Sequence, residues 1–130
     1  MITELVAVGT EILLGNIVNT NSAYLAEKCA QLGLSLYYQT VVGDNEQRMK
    51  DTIKTALDSS DVVILTGGLG PTKDDLTKEI TAEVMGLPLV EDAHSRELLD
   101  AYLKQYEKND AQRRITSNTV SYTHLTLPTI

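Results

Sequence analysis

Along this chain, apolar positions alternate between short continuous runs and helical spacing. ITELVAVG (2–9) is nearly continuous in apolar, β-prone residues and predicts a strand. NSAYLAEKCAQLG (21–33) places Leu25, Cys29 and Leu32 on one helical face, with Asn21 or Ser22 as N-cap and Gly33 as the stop. LSLYYQTVVG (34–43) predicts a second strand, in which the adjacent Tyr37 and Tyr38 point one inward and one outward. NEQRMKDTIKTALDSS (45–60) spaces Met49, Ile53 and Leu57 as the inner face of an amphipathic helix. DVVILTGG (61–68) is the third and most apolar strand, which predicts the centre of a parallel sheet. DLTKEITAEVMG (75–86) predicts a helix with Leu76, Ile80 and Val84 inward and Gly86 at its end. EDAHSRELLDAYLKQYEKN (91–109) predicts a further helix, carrying Leu98, Leu99, Tyr102, Leu103 and Tyr106.

This β-α-β-α-β-α order predicts one α/β domain, a mainly parallel sheet with helices on both faces joined by right-handed crossovers. Neither an internal repeat nor a linker interrupts it. The closing stretch NTVSYTHLTLPTI breaks the style, being rich in Thr and without helical period. It forms a terminal strand or stands outside the domain.

Composition adds limits. With 130 residues, 42% of them hydrophobic, the chain can bury one ordinary core, and without Trp or Phe that core is built from Leu, Ile, Val, Ala and Tyr. A formal net charge of -7 argues against a nucleic-acid partner, which needs a basic face. A local backbone cradle can still bind a small phosphate ligand against that global field. One cysteine, Cys29, forms no internal disulfide and completes no metal quartet, so a buried, inert thiol is expected. Short apolar runs predict no membrane span, and the missing signal-peptide layout predicts a cytoplasmic setting.

The chemistry gathers in three loops that leave the carboxyl ends of the predicted strands, where open α/β sheets bind ligands. The first, GTEILLGNIVNTNS (9–22), offers Thr10 and Glu11, then Asn19, Thr20 and Asn21 before a helix. The second, VGDN (42–45), offers Asp44. The third is TGGLGPTKDDLT (66–77), a glycine turn that bares backbone N–H groups and then presents Asp74 and Asp75 at a helix start. Lys73 is followed by Asp74, so this is not a Walker A loop, and Gly68-Leu69-Gly70 does not continue into a dinucleotide fingerprint. A glycine loop opening a helix attracts phosphate. Aspartate at a helix start commonly caps it. Two aspartates with Glu11 and Asp44 on the same rim exceed what capping needs, and point to a hard divalent cation that accompanies a phosphate. His94, in a helix remote from these loops, reads as a surface residue; Lys73 reads as a phosphate neighbour or a solvated side chain.

Taken together, GTEILLGNIVNTNS, VVGD and TGGLGPTKDDLT resemble the N-terminal domain of the competence/damage-inducible protein CinA family, within the superfamily of molybdopterin-binding domains. The resemblance runs from Met1 to about Asn118 and leaves 119–130 as a tail that does not match, as in a domain cut short. It implies a three-layer α/β/α sandwich that binds a nucleotide or pterin phosphate, and a homo-oligomer. For CinA relatives it also implies hydrolysis of ADP-ribose to AMP and ribose 5-phosphate, dependent on a divalent metal such as Mg²⁺ or Co²⁺. Carried over residue by residue, it implies catalytic roles for Asp44 and Asp75, and ligand or phosphate contacts from Thr10, Gly67, Gly68, Gly70, Thr72 and Thr77. Glu11, Asp74 and Asp75 are the implied metal ligands. Many relatives carry aspartate at the position of Asn19, so this rim has one carboxylate fewer. The alternative within the superfamily is a binding module that holds molybdopterin or a nucleotide without turnover. A role in DNA uptake or repair rests on the family's name alone, and the acidic charge speaks against it.

Overall fold

The computed structural model describes residues 1–70, 72–105 and 121–122. Its elements run β1 (Ile2–Val8), α1 (Thr10–Leu13), α2 (Thr20–Gln31), β2 (Ser35–Val42), α3 (Glu46–Ser59), β3 (Val62–Thr66), α4 (Thr77–Met85), β4 (Val90–Glu91), α5 (Ala93–Gln105) and β5 (Ser121–Tyr122). The expected alternation is present, and β1 pairs in parallel with β2 on one side and β3 on the other. This is a mixed α/β fold around a parallel sheet.

Strand β1, not the more apolar β3, is the centre of that sheet. Leu5, Val6 and Ala7 of β1 are fully buried, whereas every residue of β3 is half-buried. Two polar side chains disguise β1 in the sequence. Thr3 is fully buried and Glu4 is 6% exposed. The Glu4 carboxylate is tolerated there because Thr40 Oγ1, Ser59 Oγ and Ser60 Oγ donate to it at 3.3, 3.2 and 3.3 Å.

Strand order β2-β1-β3 has a direct consequence for the site. The connection from β1 steps to one side, and the connection from β2 steps back across β1 to the other. With right-handed crossovers, α2 and α3 then cover opposite faces, and strand order reverses between β1 and β3. Ligand crevices open at that reversal. On the α3 face, Val6, Val8 and Val42 pack with Met49, Ile53, Ala56 and Ile80. Met49 and Ile53 are buried as the spacing predicts, while Leu57 only borders the cluster and Ala56 takes the deeper place.

Local differences from the sequence reading each have a cause. Helix α2 starts at Thr20, and its cap is Asn19, whose Oδ1 accepts the Ser22 N–H at 3.2 Å; neither Asn21 nor Ser22 caps it. Cys29 is buried, but Leu32 lies at the helix end and is 76% exposed. Tyr37 and Tyr38 are both exposed, which overturns the one-in, one-out expectation. Thr3 pairs with Leu36 and Glu4 with Tyr38, so Tyr37 is the extra residue of a bulge on an edge strand, and strict alternation fails there. β4 was not visible in the sequence; it pairs antiparallel with β5, two residues of the closing stretch. Asp92 caps α5 through its Oδ1, which accepts the Ser95 N–H at 2.7 Å. Tyr106 and, of the tail, residues 119–120 and 123–130, His124 among them, lie outside the described residues.

Candidate functional site

The carboxyl ends of β1, β2 and β3 bring the three loops together. Gly9 N–H donates to the Val42 carbonyl at 2.9 Å and ties the start of the first loop to the end of β2. Thr10 and Asp44 then clasp each other. The Thr10 N–H donates to Asp44 Oδ2 at 3.2 Å, and the Asp44 N–H donates to Thr10 Oγ1 at 3.0 Å. Each side chain thereby satisfies the other's backbone, which fixes an exposed carboxylate at the rim. Glu11 follows in the first turn of α1 and is exposed.

On the other side of β1 the glycine loop lies almost on the central strand. Gly67 has φ +90°, and a Cβ added there would collide with the Val8 carbonyl oxygen. Gly68 has φ +64°, and its Cβ would strike Thr77 Oγ1. Both conditions select glycine, one through backbone conformation and one through space. Thr77 is buried beneath the loop: its Oγ1 donates to the Gly67 carbonyl at 2.8 Å and its N–H to the Gly68 carbonyl at 3.2 Å. The structure therefore places Thr77 as a strut of the loop, and Gly67, Gly68 and Gly70 along the loop itself.

Neither aspartate caps α4. Its N-cap is Leu76, without a side-chain hydrogen bond. Asp75 instead folds back over the loop, where its Oδ2 accepts the Thr72 N–H at 3.0 Å and Thr72 Oγ1 at 2.5 Å. The Gly70 N–H adds a third donor. A glycine loop expected to cradle an anion thus cradles its own carboxylate. These donors, the Thr72 hydroxyl foremost, hold the Asp75 carboxyl below its ordinary value of 3.8, against the opposing effect of partial burial. Because the folded value is lowered, the contact stabilises the loop above the ordinary carboxylate range and is lost as pH falls through the depressed value. A carboxyl titration by NMR is expected to show Asp75 protonating below the ordinary aspartate range as the solution is acidified. Thr72→Val is expected to move it back toward the ordinary range; an unmoved titration would refute the contact.

Asp74 and Lys73 are exposed. Among the described residues, no three His, Cys, Asp or Glu side chains group closely enough to hold a metal ion, so Glu11, Asp74 and Asp75 do not form a ready three-ligand cluster. The donors are all oxygens, which suits a hard cation. Mg²⁺ commonly takes one or two carboxylates and completes its shell with substrate phosphates and water, and the rim fits that partial arrangement. His94 is exposed on α5. One contact was not anticipated. Asn21 Nδ2 donates to Thr66 Oγ1 at 3.2 Å and joins the start of α2 to the end of β3. Its only signal in the sequence is a surplus asparagine beside a helix cap.

A parallel sheet whose strand order reverses beside a glycine loop is the arrangement at which open α/β domains bind ligands. The family described as "Probable molybdopterin binding domain" matches residues 4–128, and the chain belongs to that family. Within it, the chain is 54% identical over 108 residues to a competence-damage inducible protein of Lactiplantibacillus plantarum, covering 83% of this chain and 26% of that one. Identity to the protein of the same name from Streptococcus pyogenes is 47% over 127 residues, 93% of this chain and 30% of the other. The chain thus spans between a quarter and a third of these relatives. Among solved structures, CinA from Thermoplasma acidophilum superposes with a TM-score of 0.75 at 32% identity, over 92% of this chain and 70% of that one. The MoaB molybdopterin biosynthesis enzyme of Thermus thermophilus shares the fold at a TM-score of 0.61 and 20% identity, with 92% and 70% covered. The recognised type is therefore the CinA N-terminal domain, as the three motifs implied. Among the described residues no helix is long and apolar enough to cross a membrane.

Proposed function

We propose that this domain binds a nucleotide diphosphate at the three-loop rim and hydrolyses it, with ADP-ribose as substrate and AMP and ribose 5-phosphate as products. One observation carries the reading: two carboxylates, Asp44 clasped by Thr10 of the first loop and Asp75 held by Thr72 of its own, are fixed on either side of the β1 strand end, next to a glycine turn. The loop amides around Gly68 and Gly70 would receive one phosphate, joined by Thr72 once Asp75 releases it. Asp44 or Asp75 would accept the proton of the attacking water. A divalent cation, Mg²⁺ or Co²⁺, would be held by Asp75 with Asp74 or Glu11 and would supply charge neutralisation for the diphosphate oxygens. Small-molecule binding, without nucleic acid or membrane, and self-association belong to the same reading.

The test is AMP release from ADP-ribose, followed chromatographically with and without the cation. AMP that appears with Mg²⁺ or Co²⁺ and stops with a chelator supports hydrolysis. Saturable binding of ADP-ribose or a pterin phosphate with no AMP would replace it with the second reading, a binding module. That second reading is favoured by the engagement of Asp75 with Thr72 and Gly70, which leaves its carboxylate a loop-holding task even without chemistry.

A further inference from the structure

We infer that Asn21 is a positioning residue, one that sets the glycine loop through Thr66 although it lies in the first turn of α2. The glycine loop is anchored from two directions. Beneath it, Thr77 holds the carbonyls of Gly67 and Gly68, and the Val8 carbonyl leaves no room at Gly67. Those contacts fix the loop's height over β1. The β1–β3 ladder holds the strand end as far as Thr66 beside Ala7 and stops there, so a link from the α2 side to Thr66 bears on the lateral position of the turn that follows. Thr66 is the last residue of β3 and immediately precedes Gly67. Its hydroxyl accepts Asn21 Nδ2 at 3.2 Å across 45 residues of sequence.

Asn21 is free for this task because the neighbouring asparagine does the capping. Asn19 Oδ1 takes the Ser22 N–H, and Ser22 itself is buried against the body of the domain. The first turn of α2 is therefore a firm base, and Asn21 reaches from it to the strand end. The arrangement needs a donor at residue 21 and an acceptor hydroxyl at residue 66. Serine at 66 would serve; valine would not.

Hydrogen exchange of the segment 64–70 in the ligand-free chain reads this link without relying on the proposed hydrolysis. Asn21→Leu is expected to speed exchange there roughly three- to tenfold, the net worth of one hydrogen bond, while α3 amides around Met49 and Ile53 keep the parent rate. Thr66→Val is expected to match it, the double variant to be no faster than either single one, and Thr66→Ser to retain the parent rate. Additive single effects, an unchanged loop in Asn21→Leu, or loss of protection in Thr66→Ser would each overturn the inference. Accelerated exchange in α3 in both Asn21→Leu and Thr66→Val would also overturn it, since the contact would then support the whole fold and not the loop. This outcome is independent of whether ADP-ribose is turned over.

Discussion

Replacing Gly67 by alanine is expected to cost about 3–5 kcal/mol of unfolding free energy, the sum of left-handed strain and overpacking against a rigid neighbour. The neighbour decides the size. At Gly67 the added methyl meets the carbonyl of Val8, the last residue of the central strand. Val8 pairs with Val42 of β2, and Ala7 just before it pairs with both β2 and β3, so that backbone cannot yield as a side chain would. Gly15 supplies the control, because its φ is +76° but nothing lies within 4 Å of an added Cβ. There only the conformational cost remains, about 1 kcal/mol. Urea unfolding of the two variants, at matching slopes, measures the difference as a shift in midpoint. If Gly67→Ala proved no worse than Gly15→Ala, the loop would not sit against β1.

The contrast explains what the sequence could and could not reveal. TGGLGPT announces a turn, and the alternating pattern announces a parallel sheet, because backbone conformation and burial leave direct compositional marks. Which strand lies in the middle leaves a weaker mark. VVILT looks more central than ITELVAV, yet the buried Glu4 is paired with three hydroxyls that sit far away in the sequence. The pairing of Tyr37 and Tyr38 was misread for a related reason. Alternation is a property of a regular ladder, and the bulge between Thr3 and Glu4 is set by the partner strand.

The candidate site was legible as a set of loops and less so as a set of roles. Strand ends and loop order place Thr10, Asp44, the glycines and Asp75 on one rim without any knowledge of side-chain geometry. Thr77 was read as a phosphate contact, whereas it is buried with its hydroxyl on the Gly67 carbonyl. Nothing in the pattern GPTKDDLT separates a threonine facing outward from one facing into the loop. Nor does it separate a capping aspartate from one that reaches back to Thr72. Those distinctions rest on hydrogen bonds such as Thr72 N–H to Asp75 Oδ2 and Thr77 Oγ1 to the Gly67 carbonyl, which residue types alone do not announce.

Asp75→Asn is expected to leave the fold intact and, on the proposed function, to reduce AMP release by about 10²- to 10⁴-fold, the usual worth of a positioned acid–base group. The substitution is informative because it separates two tasks. Asparagine has the shape of aspartate and keeps one side-chain oxygen, so it can still accept from Thr72 and hold the loop. It cannot take a proton or offer a negative charge to a cation. Thr72→Val tests the reverse, since it removes the hydroxyl donor and leaves the carboxylate. A hydrolase at this rim predicts a large loss with Asp75→Asn and a smaller one with Thr72→Val, at nearly unchanged thermal midpoints. A binding module predicts the opposite ranking for ligand affinity. Loop order would then matter more than charge, and removing an acidic group from beside a phosphate would weaken binding little or even tighten it. Running both variants through the AMP assay and a binding titration therefore decides whether Asp75 serves the chemistry or only the loop.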